Sequence, residues 1–539
     1  MKSPDDFARR RIRLAVILLV LALSIAAGER GAKAGAKEPA LTKQDCRPSA
    51  RERDLFEAIL QKDVTKVKQL LAEGVNPNAS SVRPFKTTNG PPVVCAPALM
   101  HALVGGDPDI VEALLAGKAD VNRTDSAGHL VWSYAFRTYM VPDEAGRLCK
   151  ALIDAGADLH ARNAQGETLL ELAVTEGEVG DFRTQTRLRW IESLLAAGLP
   201  VNGVDKQGRT ALAWAIRASV ADINVIRTLI MAGANVNTAD IEGRTPLMEA
   251  INRSPEMVRL LIESRASVNA WDRDGNTALN LALMEGRGTE YVKPLLAGGS
   301  NLNLKNHDGD SPLILAARGF GLHWQWDHEG EHILAALVAG GADVTAENRD
   351  GESALTIVAA KAGPEGLPVI RLLTATAGAH RHHGYPRVAD LLAAIRRAAG
   401  HSRAEVVQEL IHAGIDVNGA DEYGTPVLTF AVAESGNPNV VSLLLSAGAR
   451  VNATDRNGDT ALIAAVREYG HSNAYGDGEI VKKALHRNLG LVRVILEAKA
   501  DVGVRDKAGL TALDLAKESG DQALTGLLED ALARSRATR

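Results

Sequence analysis

Apolar residues along the chain fall in short runs at helical spacing, and these runs come in pairs. The first run of a pair carries Leu and Ala three residues apart, as at Leu212 and Ala215. The second carries aliphatic residues three to four apart, as at Ile110, Val111 and Leu114. Because such spacing places side chains on one face of a helix, the pattern predicts repeated pairs of short amphipathic helices.

A polar turn with the pattern Asp-x-x-Gly precedes most of these pairs, and its glycine recurs at a spacing mostly in the thirties. The Asp side chain can accept hydrogen bonds from the turn, and Gly allows positive φ. The turn glycines are Gly128, Gly166, Gly208, Gly243, Gly275, Gly309, Gly351, Gly424, Gly458 and Gly509. A Thr or Ser two residues later is placed to cap the first helix. These cap residues are Thr210, Thr245, Thr277, Ser311, Ser353, Thr460 and Thr511.

The second helix usually ends at a glycine, as at Gly156, Gly198, Gly233, Gly341, Gly414 and Gly448. A glycine there is typical of a left-handed helix C-cap. Lys118, Arg265 and Lys499 occupy this position in three units and are expected to carry backbone strain.

In these residues the chain resembles the ankyrin-repeat family, whose unit is a β-turn followed by two antiparallel helices. The resemblance covers about residues 50 to 530 and implies an all-α ankyrin-repeat solenoid of about twelve to thirteen helix-turn-helix units with short β-turn hairpin loops. The unit over 386–418 lacks the Asp-x-x-Gly turn, but helices are still expected at 388–397 and 406–411.

The chain departs from the family pattern Thr-Pro-Leu-His at its last position. In place of His it has Ala213, Met248, Asn280, Ile314, Thr356, Thr429, Ile463 and Asp514. We therefore expect the hydrogen bonds of that His to be missing throughout.

The N-terminus has the layout of a secretory signal peptide. Four arginines between residues 9 and 13 precede an apolar run over 14–27, and small residues follow from Gly28. The run is short for a membrane span, which needs roughly 20 residues. We predict a signal peptide over 1–28, a linker over 29–49 and a periplasmic or secreted protein whose repeat array spans 50–535. An uncleaved membrane anchor over 14–27 is the alternative.

Export makes disulfide bonds possible. Cys46 and Cys95 flank the first predicted unit, whereas Cys149 lies at a core-facing position of a helical run. The prediction is a disulfide from Cys46 to Cys95 with Cys149 as a buried thiol. Three unpaired cysteines are the alternative.

Charge and composition argue against some partners. The net charge is -5 and the pI is about 6.3, with no long basic run after the N-terminus, so a nucleic-acid partner is not expected. Aromatic residues make up only 4%, which suits layered small helices better than an aromatic-lined pocket. No cofactor is predicted.

Five units are stretched, near residues 80–96, 137–147, 176–189, 319–331 and 470–488. All but the first stretch fall between the two helices of a unit, so they are expected to emerge as loops along one edge. A shared edge can bind a partner, although long surface loops are also tolerated without function.

One stretched segment contains a known metal-binding pattern. His328, Glu329 and His332 match the H-E-x-x-H sequence of zinc peptidases, in which two His bind the metal and Glu is the general base. Gly330 lies between them, and the helix is expected to begin only near Glu331. The zinc-dependent hydrolase over 328–332 is therefore the alternative function, and no metal site is predicted.

The main prediction is a non-enzymatic module that binds a protein partner outside the cytoplasm through hairpin tips, concave face and inserted loops. The resemblance implies this role. The candidate contact residues lie at hairpin tips. The packing of a turn has little need for apolar side chains, so the apolar residues among them are candidate interface anchors. They are Lys206, Gln207, Ile241, Glu242, Trp271, Arg273, Asp274, His307, Asp308, Arg349, Asp350, Glu422, Tyr423, Arg456 and Asn457.

Overall fold

The computed structural model describes residues 46–81, 95–137, 140–163, 166–175, 181–218, 221–319, 327–361, 366–379, 388–397, 404–473 and 489–537. The predicted signal peptide, the alternative anchor over 14–27 and the linker as far as residue 45 lie outside the described residues. The chain divides into two compact units, Met1–Leu199 and Pro200–Arg539. No helix in the described ranges is long and apolar enough to cross a membrane.

The first unit consists of four helix pairs over its described residues. Its helices are α1 Ala50–Leu60, α2 Val64–Ala72, α3 Ala98–Gly105, α4 Pro108–Ala116, α5 Val131–Phe136, α6 Pro142–Asp154, α7 Leu169–Thr175 and α8 Asp181–Ala196. Two short strands, β1 Ser80–Ser81 and β2 Ala96–Pro97, pair antiparallel with Ser80 opposite Pro97.

The second unit contains nine helix pairs in the part of it that is described. The first four pairs are α9 Ala211–Arg217 with α10 Ile223–Met231, α11 Pro246–Ala250 with α12 Pro255–Glu263, α13 Ala278–Met284 with α14 Thr289–Ala297, and α15 Pro312–Gly319 with α16 Asp327–Ala339. The next two are α17 Ala354–Lys361 with α18 Leu367–Ala379, and α19 Val388–Arg397 with α20 Ala404–His412. The last three are α21 Val427–Phe430 with α22 Pro438–Ser446, α23 Ala461–Asn473 with α24 over 489–497, and α25 Ala512–Glu518 with α26 Gln522–Ala537. A π-helical turn, Ala431–Ser435, extends α21.

Within each unit the helices stack in two layers, as the repeat pattern predicts. First helices pack on first helices, as α13 on α15 and α15 on α17, while second helices pack on second helices, as α12 on α14 and α14 on α16. The aliphatic faces are buried, with Leu279, Leu295 and Leu355 at 0% exposure. The apolar face of each helix pair is covered by the neighbouring pairs. The repeats therefore have the all-α ankyrin solenoid fold that the sequence predicts.

The turns and caps have the predicted conformations. All ten turn glycines and all six helix-ending glycines have positive φ. Lys118, Arg265 and Lys499 adopt φ of 65°, 67° and 63° at the same helix-ending position. Thr210 and Thr277 cap their helices by accepting from the amides of Ala213 and Asn280.

The expectation that the hydrogen bonds of the family His are missing throughout was wrong. Asn280 accepts from the Thr277 hydroxyl at 3.2 Å, and Thr356 accepts from the Ser353 amide at 3.4 Å. Asp514 accepts from the Thr511 amide at 2.9 Å. A short polar side chain three residues after the cap can reach back to it, so it replaces the imidazole.

Four of the predicted loop insertions were too long. Residues 142–147 belong to α6, residues 181–189 belong to α8, and residues 327–331 belong to α16. Pro142 fits the first turn of α6 because that position needs no amide donor. Residues 470–473 are helical as well, whereas 82–94, 176–180, 320–326 and 474–488 lie outside the described residues. The stretched units therefore owe part of their extra length to longer helices.

Candidate functional site

The hairpin tips of the second unit are built on Asx turns. The Asp272 carboxylate accepts from the amides of Asp274 and Asn276 at 3.0 and 2.8 Å. Asp205 and Asp240 bind their own turns in the same way. In each Asp-x-x-Gly turn the Asp side chain faces inward onto the turn. The two residues between this Asp and the glycine are therefore exposed to solvent.

Main-chain hydrogen bonds join consecutive tips. The amide of Ile241 donates to the Gln207 carbonyl at 2.9 Å, and the amide of Arg273 donates to the Glu242 carbonyl at 2.8 Å. The series continues from His307 to Asp274 at 2.9 Å and from Arg349 to Asp308 at 3.1 Å. Five successive tips are thus held in register, which gives the side chains a fixed spacing.

All fifteen predicted contact residues are exposed. The structure brings five of them to one pocket of about 390 Å³, which we call the tip pocket. Its lining residues are Gln207, Arg209, Arg217, Asp240, Ile241, Glu242, Arg244, Asp272, Arg273 and Asp274. The predicted residues at 307–308, 349–350, 422–423 and 456–457 lie on later tips, outside this pocket.

Large apolar side chains are exposed at these tips. Ile241, which lines the tip pocket, is 59% exposed, and Trp271 one repeat further is 67% exposed. Tyr423, on a later hairpin, is also 67% exposed. Such side chains gain free energy when a partner covers them, and aromatic side chains are frequent anchors of interfaces.

Several charges around the tip pocket are paired within the chain. Arg273 forms an ion pair with Glu242 at 3.1 Å across two repeats. Arg209 donates to Asp205 at 2.8 Å and lies over the ring of Trp214, 4.1 Å from its centroid. Burial raises the pKa of Asp205, but hydrogen bonds from the main chain and guanidinium of Arg209 outweigh it and hold the pKa below its usual value.

A second pocket of about 520 Å³ lies between the C-terminal ends of α13, α15 and α17 and the tips beside them. We call it the acidic pocket. It is lined by Leu283, Met284, Asn306, Asp308, Asp310, Leu315, Arg318, Gly319, Glu352, Ile357 and Lys361.

Of the acidic-pocket residues, only Asp308 is among the predicted contact residues. A signal was present in the sequence, because a cation lies near the end of two successive first helices, at Arg318 in α15 and Lys361 in α17.

The H-E-x-x-H segment is arranged differently from what the sequence indicated. The helix α16 begins at Asp327 rather than near Glu331, so Gly330 lies within it and is buried. Glu329 accepts from the Thr289 amide at 2.8 Å and from its hydroxyl at 3.3 Å. The proposed general base therefore caps the N-terminus of α14. His332 is exposed, and the side chain of His328 lies outside the described residues.

Among the described side chains, no group of three or more His, Cys, Asp or Glu could hold a metal ion. The carboxylate that a zinc peptidase would use on water is engaged as a helix cap.

A disulfide joins Cys46 to Cys95 with Cα atoms 5.9 Å apart, which is the pairing that the sequence analysis predicted. Cys46 and Cys95 are 5% and 0% exposed. Cys46 was assigned to the linker, but its burial makes it part of the fold. Cys149 is a buried free thiol, and burial raises its pKa to about 12.

Comparison with known proteins finds ankyrin repeats. A family model described as ankyrin repeats (3 copies) matches residues 138–240, 218–305 and 391–476, and a single ankyrin-repeat model matches 97–126. The B-cell lymphoma 3 protein homolog of Mus musculus is 31% identical over 211 residues, which are 39% of this chain and 37% of the relative. The match thus spans well under half of that relative.

The crystal structure of the ankyrin repeat domain of Bcl-3, described as a unique member of the IkappaB protein family, is also similar. It is 24% identical with a TM-score of 0.36, over 45% of this chain and 97% of that chain.

Proposed function

Because this chain belongs to the ankyrin-repeat family, we propose that it is a non-catalytic module that binds a protein partner outside the cytoplasm through the hairpin tips of its second unit. Ankyrin repeats serve as protein-interaction modules. The single observation that carries the proposed binding mode is the exposure of Ile241 and Trp271 on tips held in register by main-chain hydrogen bonds.

The energetic argument concerns these two side chains. Burying a large apolar side chain contributes about 1.5–3 kcal/mol, and neither Ile241 nor Trp271 has that burial in the free chain. Beside them Arg273 is already paired with Glu242 within the chain. A rim of paired charges around apolar anchors is typical of protein interfaces.

Export is supported by the disulfide. A buried disulfide such as Cys46–Cys95 persists in oxidising compartments and is rare in the bacterial or eukaryotic cytosol. The leader-like sequence over 1–28 supports the same proposal.

Site-specific photo-cross-linking tests the binding mode. A photoreactive amino acid is placed at Ile241 in one variant and at Met231 in a second, in cells that make the full chain with its leader. Met231 is 81% exposed at the end of α10, a second helix, so it is a matched apolar control away from the tips. We expect a discrete protein adduct from position 241 and none from 231. Equal adducts from both positions, or none from 241, would contradict the proposal.

Localisation is tested on the same cells. The proposal expects the chain in the exported fraction with its N-terminus near residues 27–29. A full-length chain in the membrane fraction would instead favour the anchor over 14–27, and a full-length chain in the cytoplasm would overturn export altogether.

A further inference from the structure

The tip pocket and the acidic pocket differ in charge. The tip pocket is lined by four cations and four carboxylates, namely Arg209, Arg217, Arg244, Arg273, Asp240, Glu242, Asp272 and Asp274. The acidic pocket is lined by three carboxylates, Asp308, Asp310 and Glu352, and by two cations, Arg318 and Lys361. A fourth carboxylate, Asp350, lies 4.0 Å from Arg318. Only the acidic pocket therefore has an excess of negative charge.

Both cations of the acidic pocket are engaged within the chain. Arg318 contacts Asp310 at 2.9 Å and Glu352 at 3.1 Å, and Lys361 donates to the Arg318 carbonyl at 2.7 Å. Among the described residues, no hydrogen bond or ion pair reaches the exposed carboxylate of Asp308. Asp308 thus presents a carboxylate that has no partner among the described residues.

Apolar side chains line another part of the acidic pocket. They are Leu283, Met284, Leu315 and Ile357. Met284 is 46% exposed at the end of α13, whereas Leu283 beside it is buried. A pocket with an aliphatic wall and a free carboxylate matches a side chain that has an aliphatic stem and a cationic head.

We propose that the acidic pocket receives an arginine or lysine side chain of the protein partner, its stem against Met284 and its cationic head at the Asp308 carboxylate. This inference rests on the proposed protein-binding function and names the chemistry that the partner presents to the second unit.

The electrostatics of the neighbouring carboxyl group agree with this. Burial raises the pKa of Asp310, and the negative charges of Asp308 and Glu352 act in the same direction, against the hydrogen bond from Asn348 and the charge of Arg318. A further cation would relieve this repulsion, whereas a further anion would increase it.

Methyl NMR of the full chain with labelled methionines tests the proposal. The probe is a capped tripeptide with a central arginine, and its matched control has citrulline, which keeps the shape without the charge. The Met284 methyl reports on the pocket, and the methyl of Met231, exposed on α10, is the internal reference. We expect a saturable shift of Met284 with arginine that weakens with salt, and none with citrulline.

Two substitutions at the same turn position give the decisive comparison. Asp308→Asn removes the proposed partner of the cation, and Asp274→Asn makes the same change one repeat earlier, in the tip pocket. Both residues are exposed, so both variants are expected to fold. Asp308→Asn should weaken arginine binding about tenfold, the effect of one charge-assisted hydrogen bond, while Asp274→Asn should leave it unchanged.

The proposal is overturned if Met284 does not respond, if citrulline or a glutamate-centred tripeptide shifts it as well, or if the two variants behave alike. Cross-linking from position 241 does not involve Asp308. An adduct there without arginine binding would leave the proposed function intact and remove this inference alone.

Discussion

At the residue scale, the left-handed helix ends give paired tests of backbone strain. Arg265 has φ of 67° where other repeats have glycine, and Gly233, one repeat earlier, has φ of 89°. A Cβ added to Gly233 meets no atom within 4 Å, so any cost of a side chain there comes from the backbone alone. Arg265→Gly should stabilise the chain by about 0.5–1 kcal/mol and Gly233→Ala should destabilise it by a similar amount.

Urea unfolding of the two variants measures both changes. Arg265→Ala is the control, because it removes the charge and keeps the strained φ, so it should give no gain in stability. If Arg265→Ala stabilised as much as Arg265→Gly, the strain explanation would fail.

A second prediction concerns Asp205 and pH. Its pKa is lowered in the folded state, where its carboxylate is 1% exposed and bound by Arg209 and the indole of Trp214. A lowered pKa means that the charged form stabilises the fold above the unfolded pKa of about 4, and that this contribution is lost as pH falls through the folded value. Asp205→Asn should therefore cost about 1–2 kcal/mol at neutral pH and progressively less below pH ~4.

Unfolding of the wild type and Asp205→Asn across this pH range measures the difference. Asn is tolerated at the same turn position in Asn306 and Asn348, so the variant keeps the turn hydrogen bonds. If the difference in free energy of unfolding between the two proteins stays constant with pH, the ionised carboxylate of Asp205 is not the source of the stabilisation.

The residues that could be predicted from the sequence are those whose role is local. A turn glycine or a capping Thr acts through its own four or five residues, so Gly208 and Thr210 could be assigned without a structure. The acidic pocket could not be assigned in this way. It needs the ends of three helices, at Met284, Arg318 and Lys361, and their separation depends on how successive repeats stack.

At the scale of elements, the disulfide ties β2 to the segment before α1. It closes a loop of 49 residues around the first helix pair, and a loop of this length is expected to add about 3–4 kcal/mol. The double variant Cys46→Ser with Cys95→Ser should therefore lose protection against hydrogen exchange in α1 and α2. Cys149→Ser is the control. In this variant the loss of protection against hydrogen exchange should be confined to the surroundings of residue 149 in α6.

Counting the reactive thiols tests the Cys46–Cys95 disulfide independently. The native chain should show no thiol reactive at neutral pH, because burial raises the pKa of Cys149 to about 12. After denaturation without a reductant one thiol should react, and after reduction all three cysteines of the chain should react. Three reactive thiols before reduction would contradict the disulfide.

Helix ends were predicted less well than helix existence. The starts of α6, α8 and α16 were placed too late, because these helices begin in segments that lack the family pattern and carry charged residues, as at 142–147 and 327–331. Periodicity detects a helix only where it has a buried face. The first turn of α6 is exposed in part, at Asp143, so its apolar pattern begins only at Ala145.

At the scale of the whole molecule, the stacked architecture predicts how the chain responds to truncation. The last pair, α25 and α26, has seven and sixteen helical residues and packs on α23, with Leu524 and Leu528 fully buried. In a stack each repeat contacts only its neighbours, so stability is a sum of local terms. In a globular domain the removal of one element opens the common core.

A chain that ends after residue 503 should therefore lose about the helical signal of α25 and α26 and keep that of the remaining helices. Circular dichroism measures the loss, and cross-linking from position 241 shows whether the tips of the second unit keep their function. We expect the adduct to persist, because the tips at 205–274 contact only adjacent repeats through main-chain bonds such as that from Ile241 to Gln207. A cooperative loss of helix throughout the second unit would contradict this prediction. It would show that the repeats share one core, whereas the prediction requires that each repeat is stabilised only by its adjacent repeats.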